Sequence, residues 1–173
     1  LLSTKLANEE EERLQLTSQQ VQILDLLSRQ RRVAISGGAG TGKTVLALEK
    51  ARRLASDGFN TLLTCYNTPL SDYLRQISED EENLTVIGFH KLCKDLVDKA
   101  SFESGRNLLD EARSSYPGKD IWDHHYPIAL AYALEILELR FDAIVVDEGQ
   151  DFGDEFWFPI EFLLKDADAS PLY

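Results

Sequence analysis

Residues 37–44 read Gly37-Gly38-Ala39-Gly40-Thr41-Gly42-Lys43-Thr44 and satisfy the pattern G-x-x-x-x-G-K-[ST] at every specified position. This loop constrains the fold more than any other feature, because it works only between a strand and the start of a helix. Both flanks are present. Val33-Ala34-Ile35-Ser36 leads in as an apolar strand, and Val45, Leu48, Ala51 and Ala55 recur at helical spacing before Gly58. Glycines let successive backbone N–H groups turn inward as an anion nest, and the following helix adds the partial positive charge of its N-terminus. Gly37, Gly38, Ala39, Gly40, Thr41 and Gly42 are therefore expected to cradle the phosphates of a nucleoside triphosphate. Lys43 would reach the β- and γ-phosphates and Thr44 the Mg²⁺. A chance glycine-rich turn is the alternative, and the strand and helix on either side speak against it.

Strand-like runs recur at Thr61–Cys65, Leu84–Ile87 and Ala143–Val146, with helical patterns between them. That alternation implies parallel strands. The runs are nearly all apolar, so the expected fold class is α/β, a doubly wound parallel sheet flanked by helices, with its ligand at the carboxyl ends of the strands. A helix is expected from Thr17 to Gln30, with Thr17 as N-cap, Gln20 three residues on, and Val21, Leu24 and Leu27 on one face. Residues 1–16 read as a leader carrying an acidic run, Glu9 to Glu12. Residues 100–126 are rich in Ser, Gly, Arg and Asp and read as a small, irregular insertion in a domain spanning 17–173. Pro127 then fits the first turn of a buried helix running to Leu139.

The last strand ends in Asp147-Glu148, the form of a Walker B element. Asp147 would hold Mg²⁺ through its water shell, since that hard ion prefers one or two carboxylates plus phosphate oxygens, and Glu148 would polarise an attacking water. An acidic pair is also common at exposed turns; the glycine-rich loop in the same chain favours the metal-holding role.

Composition narrows the rest. In 173 residues, 18 basic against 30 acidic side chains give a net charge of −12, which excludes bulk attraction to a phosphate backbone. Any nucleic-acid contact must be local. Cys65 and Cys93 lie far apart among three histidines, which argues against a zinc site and for a reducing cytoplasm; both read as small buried hydrophobes. No apolar stretch is long enough to span a membrane and no signal peptide is evident, so a soluble cytoplasmic protein with no membrane partner is expected. With no methionine, Leu1-Leu2 at its start and Pro171-Leu172-Tyr173 at its end, the chain reads as a piece of a longer protein.

With these residues in view, the chain resembles superfamily I DNA/RNA helicases of the UvrD and Rep group. Asp147-Glu148-Gly149-Gln150-Asp151-Phe152 looks like motif II, Leu16-Thr17-Ser18-Gln19-Gln20 like the Q-motif, Thr64-Cys65-Tyr66-Asn67-Thr68 like motif Ia, and Gly88-Phe89-His90-Lys91-Leu92-Cys93 like motif Ib. The order is right, and the matches cover residues 14–158. The resemblance implies the first RecA-like P-loop ATP-binding domain of an ATP-driven helicase or single-strand translocase, hydrolysing ATP with Mg²⁺. Gln20 would hydrogen-bond the adenine edge, although Thr17-x-x-Gln20 is equally a capping box. Gln150 would sense the γ-phosphate. Tyr66, Asn67, Phe89 and His90 would line a path for single-stranded DNA or RNA, where aromatic faces stack on bases, or would be core residues. Trp157 and Phe158, just after motif II, read as core.

The chain departs from the family in two ways. The interval between the Ib-like segment and motif II is short, so the accessory subdomain is reduced. Motif III and the second RecA-like domain, with its arginine fingers, are missing, so the chain alone is expected to bind nucleotide but turn over slowly. A P-loop ATPase switch that gates a partner protein or nuclease is the alternative function. A nucleotide or small-molecule kinase fits least, because Glu148 is placed to activate water, which a transfer enzyme must exclude.

Overall fold

The structure, a computed structural model, describes residues 17–27, 30–38 and 40–173. Residues 1–16, including the acidic leader, and Ala39 of the glycine-rich loop lie outside the described residues. Three of the apolar runs become strands: β1 (Thr61–Cys65), β2 (Leu84–Gly88) and β3 (Ala143–Asp147). They form one parallel sheet in the order β2-β1-β3, with Cys65 opposite both Gly88 and Asp147, so the three carboxyl ends are level.

Parallel neighbours require crossovers, and helices supply them. In chain order these are α1 (Ser18–Leu27), α2 (Lys43–Ser56), α3 (Thr68–Gln76), α4 (Phe89–Ser104), α5 (Leu108–Ser115), α6 (Tyr126–Leu137) and α7 (Asp154–Phe162). The two-residue period of a strand divides the core between the two faces of the sheet. Leu63, Ala143 and Val145 pack with Leu48, Ala51 and Leu54 of α2 and Leu74 of α3. Leu62 and Ile144 pack on the other side with Phe89, Leu92 and Val97 of α4, Leu130 and Leu134 of α6, and Phe156 and Ile160 of α7. Every residue of β1 is buried. The result is an α/β layered fold with a parallel sheet covered by helices on both faces, consistent with Rossmann-like and RecA-like architectures. Among the described residues no helix is long and apolar enough to cross a membrane.

Two expectations are corrected. The run Val33–Ser36 is not a strand: residues 33–38 are irregular, and only Arg32 forms a parallel bridge, to Leu172. The reason is a third segment lying between this run and β3. Val33 N donates to Leu172 O at 3.1 Å and Leu172 N to Arg31 O at 2.7 Å on one side, while Ile144 N donates to Pro171 O at 3.0 Å and Val146 N to Tyr173 O at 2.7 Å on the other. Beyond Val33 the run has no ladder partner among the described residues, and Ile35 stays 41% exposed. A strand needs a neighbour, which apolar composition alone does not supply.

Residues 100–126, expected to be irregular, are largely helical. α4 runs on to Ser104 and stops at Gly105, whose φ of 69° is left-handed. Lys91 and Asp95 (2.8 Å) and Lys94 and Asp98 (2.5 Å) pair along its outer face. Asn107 caps α5 by accepting from Asp110 N at 3.1 Å, and Leu108 and Ala112, with the partly buried Leu109, anchor that helix in the core. A π-turn, Ile121–His125, capped by the Asp120 carboxylate, leads into α6. The polar composition misled because each helix buries only a narrow stripe. α6 itself is buried as expected.

Candidate functional site

The glycine-rich loop joins residue 36 to α2. Gly40 (φ 76°) and Gly42 (φ 80°) both adopt the left-handed conformation that glycine adopts without a steric cost. Thr41 Oγ1 donates to Gly38 O at 2.9 Å, and Lys43 Nζ donates to Gly37 O at 3.1 Å and Gly38 O at 3.2 Å, which holds the ammonium on the loop. Gly42 is the N-cap of α2 and offers no side-chain oxygen, and the first turn of the helix carries no acidic residue. First-turn amides without a cap suit an anion.

The start of α1 reaches this loop. Gln20 Oε1 accepts from Thr17 N at 2.8 Å while Gln20 N donates to Thr17 Oγ1 at 3.3 Å, the reciprocal capping box. The same side chain donates from Nε2 to Thr41 O at 3.1 Å.

Asp147 ends β3 and is only 3% exposed. Its Oδ1 accepts from Glu148 N at 3.0 Å; its Oδ2 is buried with no hydrogen-bond partner. Burial pushes this carboxyl above its usual range, against the pull of the Thr44 hydroxyl, the Glu148 amide and the Lys43 charge. Glu148 follows with φ 54° and ψ 41°, a left-handed conformation that strains an L side chain. Gln150 donates from Nε2 to Glu148 Oε2. Gly37, Gly42, Lys43, Thr44, Glu148 and Gln150 line one open cleft, and Asp147 joins Lys43, Glu148 and Gln150 in an adjoining recess. The loop and the end of β3, about a hundred residues apart in sequence, thus form a single site. Gln20, Gly38 and Thr41 do not line the cleft.

The residues fit a hard divalent cation. Among the described residues no three His, Cys, Asp or Glu side chains converge on one point, so a cation here would take one carboxylate, a hydroxyl and oxygens from outside the protein. Magnesium is held in that way, and the partnerless Asp147 Oδ2 next to Thr44 is the donor it would use.

Two aromatic residues that the sequence reading did not assign to the site also line the cleft. Trp157, expected in the core, lies over Gly149, where an added Cβ would sit 3.6 Å from its ring, and Tyr173 stands below Lys50 Nζ, 4.2 Å from the ring centroid. Phe158, also expected in the core, is 59% exposed. Trp157 follows motif II closely enough to have been found; nothing local marks Tyr173.

Tyr66, Asn67, Phe89 and His90 fare differently. Phe89 is fully buried, stacked on Phe156 at 4.9 Å, so its ring is core and offers no face to a base. Asn67 is exposed, but its Oδ1 caps α3 by accepting from Leu70 N at 3.0 Å. Tyr66 and His90 are half-buried against each other, ring centroids 4.9 Å apart, beside Asp123: Tyr66 Oη donates to Asp123 Oδ1 at 3.4 Å, and His90 Nε2 lies 3.7 Å from it. Burial lowers the pKa of His90 even though Asp123 and Asp120 pull it upward. Cys65 and Cys93 are buried free thiols, as expected, and burial pushes Cys65 up to about 12.

Fold and site together define an α/β protein whose charged cleft opens at the carboxyl edge of a parallel sheet. No protein family, curated protein or solved structure matches the chain.

Proposed function

We propose that this chain is the first RecA-like, P-loop ATP-binding domain of an ATP-driven single-strand translocase or helicase of superfamily I type, working in the cytoplasm with a second RecA-like domain. The observation that carries the ATP site is the buried, partnerless Asp147 Oδ2, in a recess shared with Lys43. Lys43, at the first position of α2, supplies a fixed positive charge and a donor for the triphosphate, and the uncapped amides of that turn supply further donors. Thr44 and Asp147 are the residues that would hold Mg²⁺, which when bound neutralises charge on the β- and γ-phosphate oxygens. Glu148 uses one carboxylate oxygen to accept from Gln150, and its other oxygen is free to accept a proton from an attacking water. Gln150 thereby orients that carboxylate and, from its position in the lining of the cleft, would answer to the γ-phosphate.

Calorimetric titration with ATP and Mg²⁺ tests the site. Lys43→Ala is expected to weaken ATP binding about 10- to 100-fold, the value of a charge-assisted hydrogen bond. Equal affinity before and after would remove the phosphate-loop assignment. The strand is tested by steady-state hydrolysis with and without single-stranded DNA and RNA. The core position of Phe89 and the net charge of −12 favour a second reading, an ATPase switch that gates a partner protein or nuclease. Tight ATP binding with no response to either strand would select it.

A further inference from the structure

Gln20 makes contacts that a base-reading residue does not need. Reading adenine takes both halves of the amide at once, the oxygen accepting from N6 and the nitrogen donating to N7. Here the oxygen accepts from Thr17 N at 2.8 Å and the nitrogen donates to Thr41 O at 3.1 Å, and Gln20 does not line the cleft. The approach is close: a Cβ on Gly42 would lie 2.2 Å from Gln20 Nε2 and would push that amide off its bond to Thr41 O, while the φ of 80° at Gly42 favours glycine in its own right.

We propose that Gln20 is a positioning residue, which ties the start of α1 to the turn at Thr41-Gly42 and so sets the grip of the loop on the triphosphate, leaving the choice of base to other groups. The proposal rests on the ATP site proposed above. Physically, Gln20 fixes the carbonyl of the Thr41–Gly42 peptide, whose own amide belongs to the N-cap of α2 and is followed by the Lys43 amide at the first position of the helix. Fixing that peptide in advance removes an ordering cost from anion binding.

Inorganic tripolyphosphate, which has no base, separates the roles. Titrations of the protein with ATP, GTP and tripolyphosphate are compared with those of Gln20→Ala, Gln20→Glu and Thr17→Ala. Gln20→Ala is expected to weaken all three ligands by the same factor, about 3- to 10-fold for one neutral hydrogen bond, leaving the ATP to GTP ratio unchanged. Gln20→Glu keeps the acceptor for Thr17 N but loses the donor to Thr41 O, and is expected to weaken tripolyphosphate at least as much. Thr17→Ala removes a cap contact but leaves the Thr41 bond, and is expected to bind tripolyphosphate like the parent while melting at a lower temperature.

A loss for ATP alone in Gln20→Ala, or parent-like tripolyphosphate binding by Gln20→Glu, would overturn the proposal. So would an equal loss in Thr17→Ala, which would reduce the effect to helix stability. A parent protein that binds neither ATP nor tripolyphosphate would instead remove the ATP site itself, and this proposal with it.

Discussion

The carboxyl ends of β1 and β3 lie side by side, Cys65 paired with Asp147, yet they are finished in opposite ways. At the end of β1 the last residue and the turn after it find partners, although the Thr64 hydroxyl just before is buried without one. Cys65 Sγ donates to Asn67 O at 3.3 Å, Asn67 caps α3, and Tyr66 packs on Phe156 at a centroid distance of 6.2 Å. At the end of β3 a buried carboxylate oxygen has no partner, and the next residue is held at positive φ. A buried carboxylate oxygen without a donor is costly, and so is a left-handed glutamate. The end of β3 thus carries an unpartnered carboxylate oxygen and a left-handed residue, where the end of β1 leaves only a neutral hydroxyl without a partner and is otherwise a packed turn.

The contrast can be broken from either side. The largest effect is expected at the closed end: Phe89→Ala should lose about 3–5 kcal/mol in urea unfolding, as a fully buried aromatic does. A loss below about 1 kcal/mol would instead return Phe89 to the exposed, base-stacking class. Asn67→Ala is expected to lose about 1 kcal/mol through the α3 cap and to leave ATP affinity unchanged.

At the open end the sign should reverse. Asp147→Asn is expected to stabilise the metal-free protein by about 1 kcal/mol while abolishing any rise in melting temperature on adding Mg²⁺ with ATP. Its pH dependence follows from the direction of the shift. The carboxyl of Asp147 is raised above the ordinary value, so its favourable contribution is present below that value and is lost as pH rises through the raised one. The advantage of Asp147→Asn over the parent should accordingly be absent at the acid end and grow through that window, as parallel unfolding curves would record.

The smallest effect is expected from strain. Glu148→Gly and Glu138→Gly each relieve a left-handed residue, at φ 54° and 50°, and should each gain less than about 1 kcal/mol. Only the first should lower ATP turnover, because Glu138 merely ends α6. Equal turnover in both would remove Glu148 from the chemistry.

The elements legible in the sequence were those whose reasons are local. α2 was readable from Leu48, Ala51 and Ala55 and from the stop at Gly58, and α6 from its apolar body. The three strands were readable as short apolar runs, and the capping box from Thr17 and Gln20. Of the site, the loop glycines, Lys43, Thr44, Asp147 and Glu148 were picked out from motif and spacing and Gln150 from the family resemblance, and the structure gathers them about one cleft and its recess, apart from Gly38 and Thr41 beside it and Ala39 outside the described residues. The helices of 100–115 were missed because one buried stripe, Leu108 and Ala112, is too thin a signal against a polar surface.

By itself the sequence determined which segments could be helix or strand, where helices begin and stop, and which residue types stand at the strand ends, since these depend on neighbours within a turn or two of chain. Only the tertiary structure decided that Val33–Ser36 would not be a strand, because pairing there depends on Leu172, far along the chain. It alone decided that Phe89 is core, that Gln20 holds Thr41, and that Asp147 Oδ2 is buried without a partner. Each of these is a contact between segments distant in sequence, whose free energy exists only once the layers have packed.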